Sequence, residues 1–194
     1  MLILSSDFDN TMIVPNMAVK LVTHYLLHSK DSLFSRIGLA LPLLNKWHRR
    51  KRLDALYEVY RRIPAPERRQ VIAATPASKA WLKAVQDLRF EHKAAEARVN
   101  IISRNCIDVI TPWIAEHREF LRQRHITIGT IVANRPLGDQ KNEFITLELH
   151  HIDHAGFGRL NETGKKRFLG RKAIYIGDYE EEVLRGYVGQ FVRV

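Results

Sequence analysis

The chain has 194 residues, 45% of them hydrophobic and 27% charged, which suits a soluble globular protein of one large domain or of one domain with an insertion. Its single cysteine, Cys106, excludes an intramolecular disulfide and fits a reducing compartment, so the cytoplasm is the expected location. A formal net charge of +10 points to nucleic acid, an anionic membrane surface or a phosphorylated substrate, or else to a salt-screened surface.

The chain opens on an apolar run, Leu2 to Leu4, that reads as a buried strand. Ser5 to Asn10 interrupts it at once, so no secretory segment is expected. From 16 to 96 the pattern is almost entirely helical: Val19, Val22 and Leu26 recur at helical spacing, as do Leu53, Leu56, Val59 and Tyr60. Pro42, Pro64, Pro66 and Pro76 divide this block into several modest helices. Its longest apolar stretch, Ile37 to Leu44, falls well short of the roughly 20 residues that span a bilayer. Cations cluster just beyond, at Lys46, Arg49, Arg50, Lys51 and Arg52, then Arg61, Arg62, Arg68 and Arg69. No RNA-binding aromatic signature, zinc pattern or helix-turn-helix accompanies them, so nucleic acid is the least supported partner. Ser78 to Ala97 is rich in helix formers and reads as a connector returning to the core.

From Val99 the texture changes. Val99 to Ser103 is a short β-branched run, Pro112 to about Arg124 predicts a helix, and Ile126 to Ala133 predicts another strand. Glu143 to His151 alternates as a half-exposed strand would. A short helix near Lys165 precedes a final core strand, Ala173 to Ile176, which stops at Gly177-Asp178. This alternation predicts an α/β fold: a Rossmann-like, doubly wound parallel sheet, with residues 16–96 as an inserted all-helical cap on a core of 1–15 and 97–194.

Three predicted strand ends carry polar groups: Asp7, Asp9 and Thr11 after the first, Ser103 after the second, and Asp178 after the last. A doubly wound sheet gathers such ends along one edge, where ligands bind. Asp7, Asp9, Asp178 and Glu182 would repel one another there without a cation, and an all-oxygen ligand set favours Mg²⁺. A phosphate substrate would also need a cationic side chain; Lys165 is placed for it, with Lys166 and Lys172 as competitors.

These stations resemble, in order, the four motifs of the haloacid dehalogenase superfamily of phosphatases. Asp-Phe-Asp-Asn-Thr at 7–11 resembles the first, Ile-Ile-Ser at 101–103 the second, Gly164-Lys165 with Leu169 the third, and Gly177-Asp178 through Glu182 the fourth. The helical insertion directly after the first motif, and Ile131 to Asn134, resemble its phosphoserine phosphatase-like branch. The resemblance implies a Mg²⁺-dependent phosphomonoesterase working through an aspartyl-phosphate. Asp7 would be the nucleophile and Asp9 the general acid and base, while Ser103 would bond a phosphoryl oxygen and Lys165 neutralise charge. Asp7, Asp178 and the Asp9 carbonyl would hold Mg²⁺, with Glu182 acting through water; Asn10, Thr11 and Arg104 would lie beside the substrate. Four departures stand out. Asn10 occupies a position usually taken by Gly, Glu182 one where Asp is commoner, the interval from Lys165 to Asp178 is short, and Tyr179 and Glu180 replace the small polar residues often seen after the last Gly-Asp.

His150, His151 and His154 cluster locally, but neighbours on a strand face opposite ways, so an exposed strand end explains them better than a metal site. Cys106 is expected as a small buried hydrophobe at a helix start, and Trp47, Trp81 and Trp113 as packing residues. The apolar stretch abutting cations also suits an anionic membrane interface and resembles the cap of phosphatidylglycerophosphate phosphatases, though Gly38 and Pro42 favour an internal helix. A small phosphorylated metabolite is thus the first substrate expected and a lipid phosphate the second. A catalytically silent domain that binds an anionic partner through its basic cap is the third reading. Oligomeric state is left open.

Overall fold

The computed structural model describes residues 1–44, 49–134, 173–178 and 188–194. Its strands are β1 (Leu2–Ser6), β2 (Ala97–Cys106), β3 (Ile126–Asn134), β4 (Ala173–Gly177) and β5 (Val188–Arg193). They form one sheet in the order β3-β2-β1-β4-β5, and all neighbours run parallel. The chain winds outward from β1 through β2 and β3, then returns to the other side of β1 for β4 and β5. That reversal makes the α/β sheet doubly wound, as the sequence predicts, and sets its switch point beside β1. β5 follows the strand expected to be last. Half-exposed at the sheet edge and broken by Gly189, it carries too weak an apolar pattern to be read in advance.

Five helices lie between β1 and β2: α1 (Met17–His28), α2 (Leu33–Leu44), α3 (Arg49–Arg62), α4 (Ala65–Ala73) and α5 (Lys79–Glu91). Each of two starts on a side-chain cap, Asn16 accepting from the Ala18 N–H at 2.8 Å and Ser78 from that of Trp81 at 3.3 Å. A Tyr25–Asp31–Arg62 chain of bonds at 2.6 and 3.0 Å ties the end of α1 to α3. α5 lies against the sheet: fully buried Trp81 donates to Ser6 Oγ of β1 at 3.1 Å.

Two prolines behave differently from expectation. α2 runs through Pro42, whose missing N–H affects only its last turn. The helix predicted from Pro112 is α6 (Ile107–Arg122), which starts five residues earlier. Burial of Ile107, Val109 and Ile110 outweighs the one hydrogen bond that Pro112 forfeits. Cys106 is buried at the N-cap of α6, and Trp113 packs edge-on against Phe8 with ring centroids 5.5 Å apart. The expected strand at 143–151, the helix near Lys165, the histidine cluster and Trp47 lie outside the described residues.

Candidate active site

Asp7 is the first residue past β1, and its N–H still donates to the Ile176 carbonyl of β4 at 3.0 Å. In the ladder Ser6 stands opposite Ile101 of β2 and Ile176 of β4. Ser103 and Asp178 each lie two residues beyond those partners, on strands about 4.8 Å to either side. Asp7, Ser103 and Asp178 therefore stand side by side at the carboxyl edge, at the switch point, although Ser103 lies within β2, which runs on to Cys106, rather than at its end.

The loop after Asp7 is tightly held. Asp7 Oδ1 accepts the Phe8 N–H at 2.7 Å, and the Ile13 N–H donates back to the Phe8 carbonyl at 3.1 Å. Asn10 has φ 58°, the left-handed conformation that Asn tolerates better than other non-glycine residues, so its place in a glycine-like position costs little. Thr11 is fully buried, and its hydroxyl has no hydrogen-bond partner among the described residues.

The Asp9 carboxyl is strongly perturbed. Its Oδ1 accepts the N–H of Met17, the first residue of α1, at 2.8 Å, and its Oδ2 accepts Asn105 Nδ2 at 2.9 Å. Both bonds favour the carboxylate. Desolvation outweighs them and, with a smaller push from the nearby Asp178 charge, raises its pKa to about 6. An acid poised there exchanges protons near neutral pH.

Two residues of this site carry no motif signal. Asn105, nearly buried, donates its side-chain amide to Asp9, accepts the Cys106 N–H at 2.7 Å on Oδ1, and donates its own N–H to Ser103 Oγ at 3.0 Å. Tyr60 of α3 is fully buried, with its hydroxyl near Asn105 but in no hydrogen bond of normal geometry. Burial first, then the Asp9 charge, pushes that hydroxyl well above the usual tyrosine range. The inserted helices thus reach the carboxyl edge. Only an Asn two residues past Ser103 could have hinted at Asn105; nothing in the helical spacing of Tyr60 sets it apart from a core residue.

Ser103 is buried and uses its oxygen as an acceptor from Asn105, which leaves its own O–H to donate elsewhere. Arg104 is described only as part of the β2 backbone. Lys165, Lys166, Lys172 and Glu182 lie outside the described residues, so the expected lysine and the expected water-mediated ligand are not placed.

Among the described residues no three His, Cys, Asp or Glu side chains form a metal cluster. The anticipated Mg²⁺ set asks for less: two carboxylates, Asp7 and Asp178, and the Asp9 carbonyl. No ion pair to Asp9 or Asp178 occurs among the described residues, although the two charges repel. Two carboxylates and a backbone carbonyl make an all-oxygen set of the kind that a hard divalent cation takes.

No protein-family model matches the chain, and no curated protein sequence does. Solved structures do. A phosphoserine phosphatase, captured as an analogue of its phospho-aspartyl intermediate, has a TM-score of 0.57 at 11% identity, covering 99% of this chain and 85% of that one. A phosphoserine phosphohydrolase-like protein from Francisella tularensis subsp. tularensis SCHU S4 has a TM-score of 0.46 at 18% identity, covering 100% and 87%. The first likeness shows the fold alone: this chain shares the Rossmann-like α/β architecture of that structure. The second is too low in score to add to it.

Proposed function

We propose that the protein hydrolyses phosphomonoesters through an aspartyl-phosphate on Asp7, with residues 16–96 as the cap over the site. The observation that carries this reading is the paired environment of its two loop carboxylates. Asp7 ends the central strand at the switch point, while Asp9, two residues on, is held with a pKa of about 6. One is set to attack and the other to carry a proton.

An Asp7 oxygen would attack phosphorus as the bond to the leaving oxygen breaks. Protonated Asp9 would deliver its proton to that oxygen and leave the product an alcohol. The resulting Asp9 carboxylate would then take a proton from water as the water attacks the acyl phosphate, regenerating Asp7 and releasing phosphate. The free O–H of Ser103 would bond a phosphoryl oxygen, and Lys165 is the expected cation beside it. Asp7, Asp178 and the Asp9 carbonyl would hold Mg²⁺, which when bound offsets negative charge on the phosphoryl group. The test is a broad panel of phosphate esters with purified protein, scored with and without Mg²⁺. Turnover that needs the ion is expected; no turnover with any ester would favour the silent, anion-binding alternative.

A small phosphorylated metabolite is the first choice of substrate. A lipid phosphate is a second reading favoured by α2. Leu33, Phe34, Ile37 and Leu41 recur on one face of that helix and are all exposed, Phe34 by 89%. The internal-helix reading therefore does not hold for this face. An apolar stripe on a basic protein suits adsorption to an anionic bilayer surface. No helix among the described residues is long and apolar enough to cross a membrane. The protein is expected to sediment with phosphatidylglycerol vesicles at low salt, and Phe34→Glu/Leu41→Glu to stay in the supernatant. Equal sedimentation of both proteins would rule out α2 as the contact, and no sedimentation of either would remove the lipid reading.

A further inference from the structure

At the opposite edge of the sheet, where β2 and β3 begin, lies a cavity of about 860 Å³. α5, the turn from α5 into β2 and the turn from α6 into β3 enclose it, the two turns being joined by the Ala97 N–H on the His125 carbonyl at 2.9 Å. Ser103 is six residues further along β2 than Ala97, so this cavity lies roughly 20 Å from the carboxyl edge.

The wall is one-signed. Lys79, Lys83, Arg89, Lys93 and Arg124 line the cavity, and among the described residues no carboxylate does. Some of these cations have structural work. Arg89 donates to the Arg124 carbonyl at 2.9 Å and to the Ala95 carbonyl, tying both turns to α5. Arg124 lies over the Phe120 ring, 3.7 Å from its centroid, and Lys83 pairs with Asp87 at 2.5 Å in an exposed contact of little worth. The others are unaccounted for. The side chains of Lys79 and Lys93 make no hydrogen bond or ion pair among the described residues, and the buried Nε of Arg89 has no acceptor there.

Helix stability does not explain Lys79 either. It is the first residue of α5, where a positive charge opposes the helix dipole, and Lys83 one turn on adds like-charge repulsion. Beside these charges the cavity carries apolar surface from Leu82 and Ile126, and Phe90 is 75% exposed at the same place. Cations alone would suit any anion; an exposed aromatic ring beside them selects one with a flat body.

We propose that this cavity is a second binding site, separate from the catalytic edge, for a small polyanion with an aromatic body such as a nucleoside diphosphate. Lys79, Lys93 and Arg89 meet its phosphates and Phe90 stacks on its ring. The probe is ADP, titrated by calorimetry into the full chain in EDTA at low salt. Lys79→Glu/Lys93→Glu is expected to bind at least about tenfold more weakly, and Phe90→Ala to weaken ADP but not inorganic pyrophosphate. A control with the same charge change elsewhere, Lys30→Glu/Arg69→Glu, and the Asp7→Asn protein are expected to bind as the parent does. A change of ADP affinity in Asp7→Asn, and a tightening above all because a repelling carboxylate is removed, would place the ligand at the catalytic edge and overturn the proposal. So would equal weakening in the control pair, or no binding by the parent.

Discussion

An Asp7→Asn protein is expected to fold as the parent does and to lose at least about four orders of magnitude in turnover. The fold is expected to survive because the contact with Phe8 is an acceptance: Asn Oδ1 can take the Phe8 N–H as Asp7 Oδ1 does, at 2.7 Å. The backbone bond from residue 7 to Ile176 is untouched. What disappears is the nucleophile, since a neutral amide does not form a labile acyl phosphate. Steady-state assay of both proteins with a good leaving group, such as p-nitrophenyl phosphate, checks this. Retention of even a tenth of parental activity would move the chemistry to another residue.

The second large effect concerns Asp9 and depends on the leaving group. Asp9→Asn is expected to slow hydrolysis of an alkyl phosphate by about 10²–10⁴-fold, the usual range for a lost general acid. p-Nitrophenyl phosphate should suffer far less in the same protein, because its leaving oxygen departs without a proton. The same carboxyl sets a pH signature. It must be protonated for the first step, so kcat/KM for the alkyl ester falls as rising pH takes the proton from Asp9, while that for the nitrophenyl ester does not. Stability follows the same group. Asp9 keeps its proton up to about pH 6 when folded but releases it near 3.8 when unfolded. Between those values the native state binds more protons, so stability falls as pH rises from about 4 to 6 and is flat above. The displacement corresponds to about 3 kcal/mol at neutral pH, reduced by whatever cation binds nearby. Denaturant melts of Asp9→Asn and parent in EDTA should therefore agree near pH 4, separate as pH rises to about 6 and keep a constant difference above it. Leaving-group-independent losses, or parallel melts across that range, would remove Asp9 from the acid role.

The sheet and the strand ends were legible because burial leaves a linear trace. Leu2 to Leu4, Ile126 to Ala133 and Ala173 to Ile176 are short apolar runs, and each became a strand. Asp7, Ser103 and Asp178 were readable for the complementary reason: polar groups immediately after such runs are costly unless they face a crevice. What escaped depends on packing across distant segments. Asn105 looks like any loop asparagine until its amide is seen on Asp9, and Tyr60 like any helix residue until α3 brings it near the same carboxyl. Pro112 and Pro42 misled for a related reason. A proline signal is local, whereas the apolar face of α6 extends its helix past it. The exposure of Phe34 was hidden too, because an apolar helix looks the same in sequence whether its face is covered or bare.

Chemical capture of the intermediate tests the central reading most directly. Parent protein mixed with a phosphate ester in Mg²⁺, quenched in acid within milliseconds and reduced with borohydride, converts an aspartyl-phosphate to homoserine at the residue that carried it. Peptide mass spectrometry should find homoserine at position 7 and nowhere else, dependent on substrate. An unmodified Asp7 in a protein that is turning over, or homoserine at Asp9 or Asp178 instead, would contradict the account.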